Sequence, residues 1–74
     1  MAVNFICTEK GINCPIACLN SDLFSKLEDK LYLEYPELRN KRIYFIANGD
    51  IINKASSLEQ NRIKNGNQIL INFE

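Results

Sequence analysis

The sequence has 74 residues, of which 46% are hydrophobic and 24% charged, enough for one small domain of ordinary soluble composition. Nine basic and nine acidic side chains cancel, which argues against a nucleic-acid or anionic-membrane surface built on bulk charge. No apolar run reaches the ~18–20 residues of a membrane span, and the start, MAVNFICTEK, lacks the basic and apolar regions of a secretory signal.

Residues 3–8, VNFICT, alternate and predict a strand, with Val3, Phe5 and Cys7 toward a core and Asn4, Ile6 and Thr8 outside. Glu9-Lys10-Gly11 reads as a turn. Residues 12–19, INCPIACL, alternate again, with Cys14, Ile16 and Cys18 inward and Asn13, Pro15 and Ala17 outward. Pro15 has no N–H to give a ladder, so this strand is expected at a sheet edge. Together the two runs predict an N-terminal hairpin.

The three cysteines, Cys7, Cys14 and Cys18, all fall on inward positions of these strands. An odd number without a secretion signal suits a reducing compartment. With no histidine and no fourth cysteine, the Cys14-x-x-x-Cys18 spacing does not close a zinc site with the usual ligands. They are read as small buried apolar residues.

Residues 21–38, SDLFSKLEDKLYLEYPEL, carry the one helical period of the chain. Leu23, Phe24, Leu27, Leu31 and Tyr35 recur at three- and four-residue steps, which predicts a helix of about 12–14 residues with one apolar stripe. Ser21 or Asp22 is placed to cap its first turn, and Pro36 disfavours helix at Tyr35. Lys26, Glu28, Asp29, Lys30 and Glu34 read as its solvated face. Such a helix is unstable alone in water and needs a surface to lie on.

A polar link, 37–41, leads to a third strand at 42–47, RIYFIA, with Ile43, Phe45 and Ala47 on one face and Tyr44 and Ile46 on the other. Asn48-Gly49 is the strongest hairpin-turn dipeptide in the chain. A short fourth strand, 50–54, contributes Ile52 to the core. Residues 55–64 read as a loop with room for one 3₁₀ turn, anchored by Leu58 and Ile63. After a second Asn-Gly turn, residues 67–73, NQILINF, alternate, with Ile69, Ile71 and Phe73 inward and Gln68, Leu70 and Asn72 outward. The order β-β-α-β-β-β predicts an α+β fold, a mixed sheet of four to five strands with one helix packed across it. Pairing the first and last strands in parallel at its centre gives the β-grasp arrangement.

The chemistry-bearing residues are sparse. Histidine is absent, so Ser/His and Cys/His catalysis are excluded. Gly49 and Gly66 are isolated turn glycines rather than a phosphate loop. Arg39, Lys41 and Arg42 form a small basic cluster, read as solvated loop charge.

From about Val3 to Phe73 the chain resembles the ubiquitin-like family. The run Arg42 to Ile52, RIYFIANGDII, resembles ubiquitin's third strand, turn and fourth strand, and Ser57-Leu58, Asn61, Ile63 and residues 65–73 follow without a gap. Phe24, Leu27 and Leu31 fall on the family's core helix positions. The resemblance implies a single ubiquitin-like domain over residues 1–74, intracellular (cytoplasmic or nuclear) and monomeric, non-enzymatic and without cofactor or metal. It further implies a protein partner, from the ubiquitin pathway or another receptor. The family's exposed apolar patch maps here onto Tyr44, Ile46 and Leu70, with Asn72, Gly49 and Lys10 at the rim. An apolar cluster on an otherwise covered sheet points to a partner surface. The sequence ends at Phe73-Glu74 without the family's Gly-Gly, so a non-conjugating binding module is expected. A covalent modifier whose Gly-Gly tail lies outside this sequence is the competing reading. A Ras-binding type of β-grasp domain ranks below it, because the outward residues of the second strand, Asn13, Pro15 and Ala17, include no Lys or Arg.

Overall fold

The computed structural model describes residues 1–74. In chain order the elements are β1 (Ala2–Cys7), β2 (Ile12–Ala17), α1 (Phe24–Glu34), a 3₁₀ segment (Pro36–Asn40), β3 (Ile43–Ala47), β4 (Asp50–Ile51) and β5 (Gln68–Phe73). The strands make one sheet in the order β2-β1-β5-β3-β4. β1 and β5 pair in parallel at its centre, and the remaining pairs are antiparallel. The result is an α+β fold, a mixed five-stranded sheet with one helix packed across it. This is the ubiquitin-like β-grasp topology.

Period-2 alternation sets which side of each strand is buried. Val3, Phe5 and Cys7 of β1, Ile43, Phe45 and Ala47 of β3, and Ile69 and Ile71 of β5 are all buried. So are Ile12, Cys14 and Ile16 of β2, Cys18 just beyond it, and Phe24, Leu27 and Leu31 of the helix. Phe5, Phe24 and Phe45 bring β1, α1 and β3 together at the middle of the core, with ring centroids 5.0–5.9 Å apart. Each such ring or aliphatic side chain contributes about 1.5–3 kcal/mol by leaving water, which is what holds an eleven-residue helix that cannot stand alone. The β3–β4 turn has Asn48 at φ 55° and Gly49 at φ 82°, the positive-φ pair that suits the twist of a two-residue hairpin.

The structure departs from the sequence reading at the ends of the helix. Leu23 is outside it, extended and 52% exposed. The reason is long-range: Leu23 bridges to Ser57, the Phe24 N–H donates to Ser56 O at 3.0 Å and the Leu58 N–H donates to Asp22 O at 2.9 Å. A neighbouring backbone, not Ser21 or Asp22, satisfies the helix start, and no side chain caps it. Asp22 instead accepts the Leu19 N–H at 2.9 Å and the Lys26 ammonium at 3.4 Å. At the other end Tyr35 leaves helical geometry before Pro36, and the chain tightens into the 3₁₀ segment. There Leu38, within the stretch read as a polar link, is only 2% exposed.

Other differences are smaller. β4 has two residues, and Ile52 beyond it is buried. Residues 53–67 form turns without a 3₁₀ helix, and Phe73 is half-buried at the sheet's end. Asparagine side chains organise this long loop. Asn61 donates to Asn53 O and to Ser57 O, and accepts the Asn53 N–H, all at 2.9 Å. Asn65 accepts the Ala2 N–H at 2.9 Å. Asn67 accepts the Lys64 N–H at 2.8 Å. Such side-chain bonds, local at Asn61 and Asn67 and long-range at Asn65, replace the regular ladder that the segment lacks.

Candidate functional site

With α1 on one side of the sheet, the other side is open. The register decides what it presents. On β3 and β5, Tyr44 stands opposite Asn72 and Ile46 opposite Leu70. Ile46 also pairs with Ile51 of β4, and Leu70 pairs with Ile6 of β1. Directly opposed residues on neighbouring strands share a face. Ile6, Leu70, Ile46 and Ile51 therefore form one row running across four strands, with Tyr44 and Asn72 a step along. Leu70 is 43% and Ile51 70% exposed, while Ile6, Ile46 and Tyr44 are half-buried.

Of the residues expected at the patch, Tyr44, Ile46, Leu70 and Asn72 come together here. Gly49 borders the row, lining a shallow depression with Ile46, Asn48 and Leu70. Lys10 is at the opposite end of the sheet, in the β1–β2 turn, with its ammonium 5.8 Å from the Phe73 ring centre. It marks that far edge and does not touch the row's Gly49 side. Ile51 belongs to the row but carried no signal of its own, because a two-residue strand shows no alternation. Ile6 was assigned outward by period. Its membership of the row depends on the pairing of β1 with β5, which no local pattern encodes.

The basic cluster divides. The Arg39 guanidinium stacks 5.2 Å from the Tyr32 ring centre. Lys41 and Arg42 line a notch at the sheet's end with Glu9, Lys10, Phe73 and Glu74, a site of mixed charge. The helix face read as solvated is also partly structural. The Lys54 ammonium bonds to Glu28 Oε2 at 2.9 Å, and the Tyr32 hydroxyl donates to the same carboxylate oxygen. Burial, and then this bond to Glu28, pushes the Tyr32 phenol well above its ordinary range. Lys54 also lies 5.3 Å from the Phe45 ring centre, so this network ties α1 to the loop and the core.

A groove runs between β2 and α1, lined by Pro15, Ala17, Lys30, Leu33 and Tyr35 among others. Met1 and Cys18 exchange backbone bonds at 2.9 and 2.8 Å. Counting along the register from that hydrogen-bonded pair, Asn13, Pro15 and Ala17 occupy the alternate pairs, whose backbone groups turn to the free edge. Pro15 has no donor to offer there, and the Ala17 carbonyl already accepts the Lys30 ammonium at 3.0 Å.

The three cysteines are free, buried and on the core side. Burial, with a smaller push from the Glu34 carboxylate, raises the Cys14 thiol, and burial likewise raises Cys18. No group of three or more His, Cys, Asp or Glu side chains is placed to hold a metal ion. No helix is long and apolar enough to cross a membrane.

No protein-family model matches the chain, and no curated protein matches it. Among solved structures, a protein designed de novo on the basis of ubiquitin superposes on 100% of this chain and 88% of its own, with a TM-score of 0.83 and 19% sequence identity. At that identity the likeness carries the fold, ubiquitin-like β-grasp, and the fold hosts many functions.

Proposed function

We propose that the chain is a non-catalytic ubiquitin-like interaction module that binds a protein partner through the open face of its sheet. The observation that supports this most is the row of Ile6, Leu70, Ile46 and Ile51 in continuous cross-strand register. Tyr44 and Asn72 extend it along the strands, Gly49 borders it, and Lys10 stands at the far end of the sheet beside Phe73. Sheet-borne side chains are already ordered, so little entropy is lost when a partner covers them. Neighbouring strands are ~4.8 Å apart, close to the ~5.4 Å pitch of a helix. An apolar stripe on a partner helix laid across the strands would therefore meet the row rung by rung.

Quantitative capture from a cell extract with the parent protein and with Ile46→Ala and Leu70→Ala, followed by titration of the protein captured, tests the reading. Either truncation is expected to weaken binding about ten-fold or more, as an anchor worth roughly 1–3 kcal/mol would. Stability should stay within about 1 kcal/mol of the parent, because neither side chain is in the core. A generic ubiquitin-binding helix should bind poorly, since the Asn72 amide would be desolvated against it without a matching group. Variants that fold and bind the captured partner as well as the parent would remove the face as the site.

A further inference from the structure

The chain carries two Asn-Gly dipeptides, Asn48-Gly49 and Asn65-Gly66, and all four residues are exposed. Asn-Gly is the pair most open to spontaneous deamidation, because glycine has no side chain to shield its nitrogen or restrict its rotation. Both glycines have φ of 82°, so local conformation alone does not separate them. Their surroundings do. The Gly66 N–H donates to Ala2 O at 2.8 Å, and the Asn65 carbonyl oxygen accepts the Ala2 N–H at 2.9 Å. Because the accepting oxygen is the side-chain Oδ1 of Asn65, nucleophile and electrophile are both held by the first residue of β1. At the other turn the Gly49 N–H makes no hydrogen bond in the chain. The Asn48 side chain is held only through its amide nitrogen, which donates to Arg62 O and to Asn67 Oδ1, each at 3.2 Å.

We propose that Asn48 is a site of spontaneous covalent modification, converting to aspartate and isoaspartate, and that docking of β1 protects Asn65 from the same reaction. The Gly49 backbone nitrogen attacks Asn48 Cγ. An N–Cγ bond forms and the Cγ–Nδ2 bond breaks. Ammonia departs with the proton that the Gly49 nitrogen gives up, leaving a succinimide ring. Water then adds to either ring carbonyl and opens the ring to aspartate or isoaspartate. In the product a carboxylate stands where the amide donated, so it faces two acceptors, Arg62 O and Asn67 Oδ1. The pin between the β3–β4 turn and residues 62–67 is lost.

The test is incubation of the folded protein at mildly alkaline pH and 37 °C, with peptide mapping by mass spectrometry and isoaspartate detection by an isoaspartyl methyltransferase. A parallel sample is unfolded in urea. In the folded protein, conversion at Asn48 should outrun conversion at Asn65 about ten-fold or more, the factor expected when the slower site must first give up its hydrogen bonds. In urea the two rates should draw together. Equal or reversed rates in the folded protein would overturn the proposal. So would a ratio that persists unchanged in urea, because the difference would then be a property of the local sequence and not of β1.

Discussion

Single polar side chains carry much of what holds this small molecule in one shape. Asn61 is the clearest, since its three bonds join Asn53 to Ser57 across a loop with no ladder. Asn61→Ala would leave the Asn53 N–H without its partner and take one of two bonds from each of the Asn53 and Ser57 carbonyls; at about 0.5–1.5 kcal/mol net per bond it is expected to cost about 1–3 kcal/mol in urea unfolding. A change under 0.5 kcal/mol would show that water takes over these bonds. Asp22 makes a pH-dependent contribution. The Leu19 N–H, and after it the Lys26 ammonium, holds its carboxyl below the usual carboxylate range. A group depressed in the folded state binds its proton more weakly there than in the unfolded chain. Its contribution is therefore complete above the unfolded value near pH ~4 and is lost as pH falls through the folded one. NMR titration of Asp22 should give a midpoint under that of a free aspartate, and Asp22→Asn should flatten the acid limb of the stability curve. Asn61 stood out in the sequence only as part of a family-like pattern. Its role was not legible, because three bonds to residues four and eight positions away leave no periodic trace.

At the scale of elements, what was legible followed from period. Two-residue alternation assigned the inward positions of β1 and β3 and, in β2, Cys14 and Ile16 but not Ile12, which is also buried; the three- and four-residue steps placed Phe24, Leu27 and Leu31. Illegible features were those decided by contacts distant in sequence. Leu23 sits on the helical stripe by spacing, yet the Ser56–Leu58 backbone takes it out of the helix. Leu38 lies among polar neighbours, and only the 3₁₀ segment after Pro36 turns it inward. The open face divides in the same way: Tyr44, Ile46 and Leu70 could be read strand by strand, while Ile6 and Ile51 joined them only through register. The edge of β2 makes a prediction of its own. Strand addition needs regularly spaced free donors, and Pro15 removes one in mid-edge while Lys30 occupies the Ala17 carbonyl. A small-modifier-binding peptide of extended type should therefore cause no shifts along Asn13 to Ala17 in an NMR titration. Saturable shifts confined to those residues would refute this.

The whole molecule is a single layer of sheet closed on one side by one helix, with 19 buried residues, all of them apolar. Its cysteines are part of that closure. Cys7, Cys14 and Cys18 should label slowly with a thiol reagent in native buffer and rapidly in urea, because labelling needs an accessible thiolate, burial denies access to all three, and at Cys14 and Cys18 it also raises the thiol and so disfavours the thiolate. Rapid labelling of all three in the native protein would mean that the β1–β2 hairpin opens on its own, well below the cost of global unfolding.

The parallel pairing of β1 with β5 has a consequence for how the molecule comes into being. Asn4 meets Gln68 and Ile6 meets Leu70, so the innermost seam of the sheet joins the first strand to the last. A growing chain on the ribosome can form the β1–β2 hairpin and lay α1 against it, but the seam stays open until the final strand has left the exit tunnel. Until then the inner edge of β1 carries unpaired backbone groups beside an uncovered Phe5, the surface that invites misassociation. The core of this unit therefore closes only when β5 is added, and its folding waits on the emergence of residues 68–73 rather than of the hairpin or the helix.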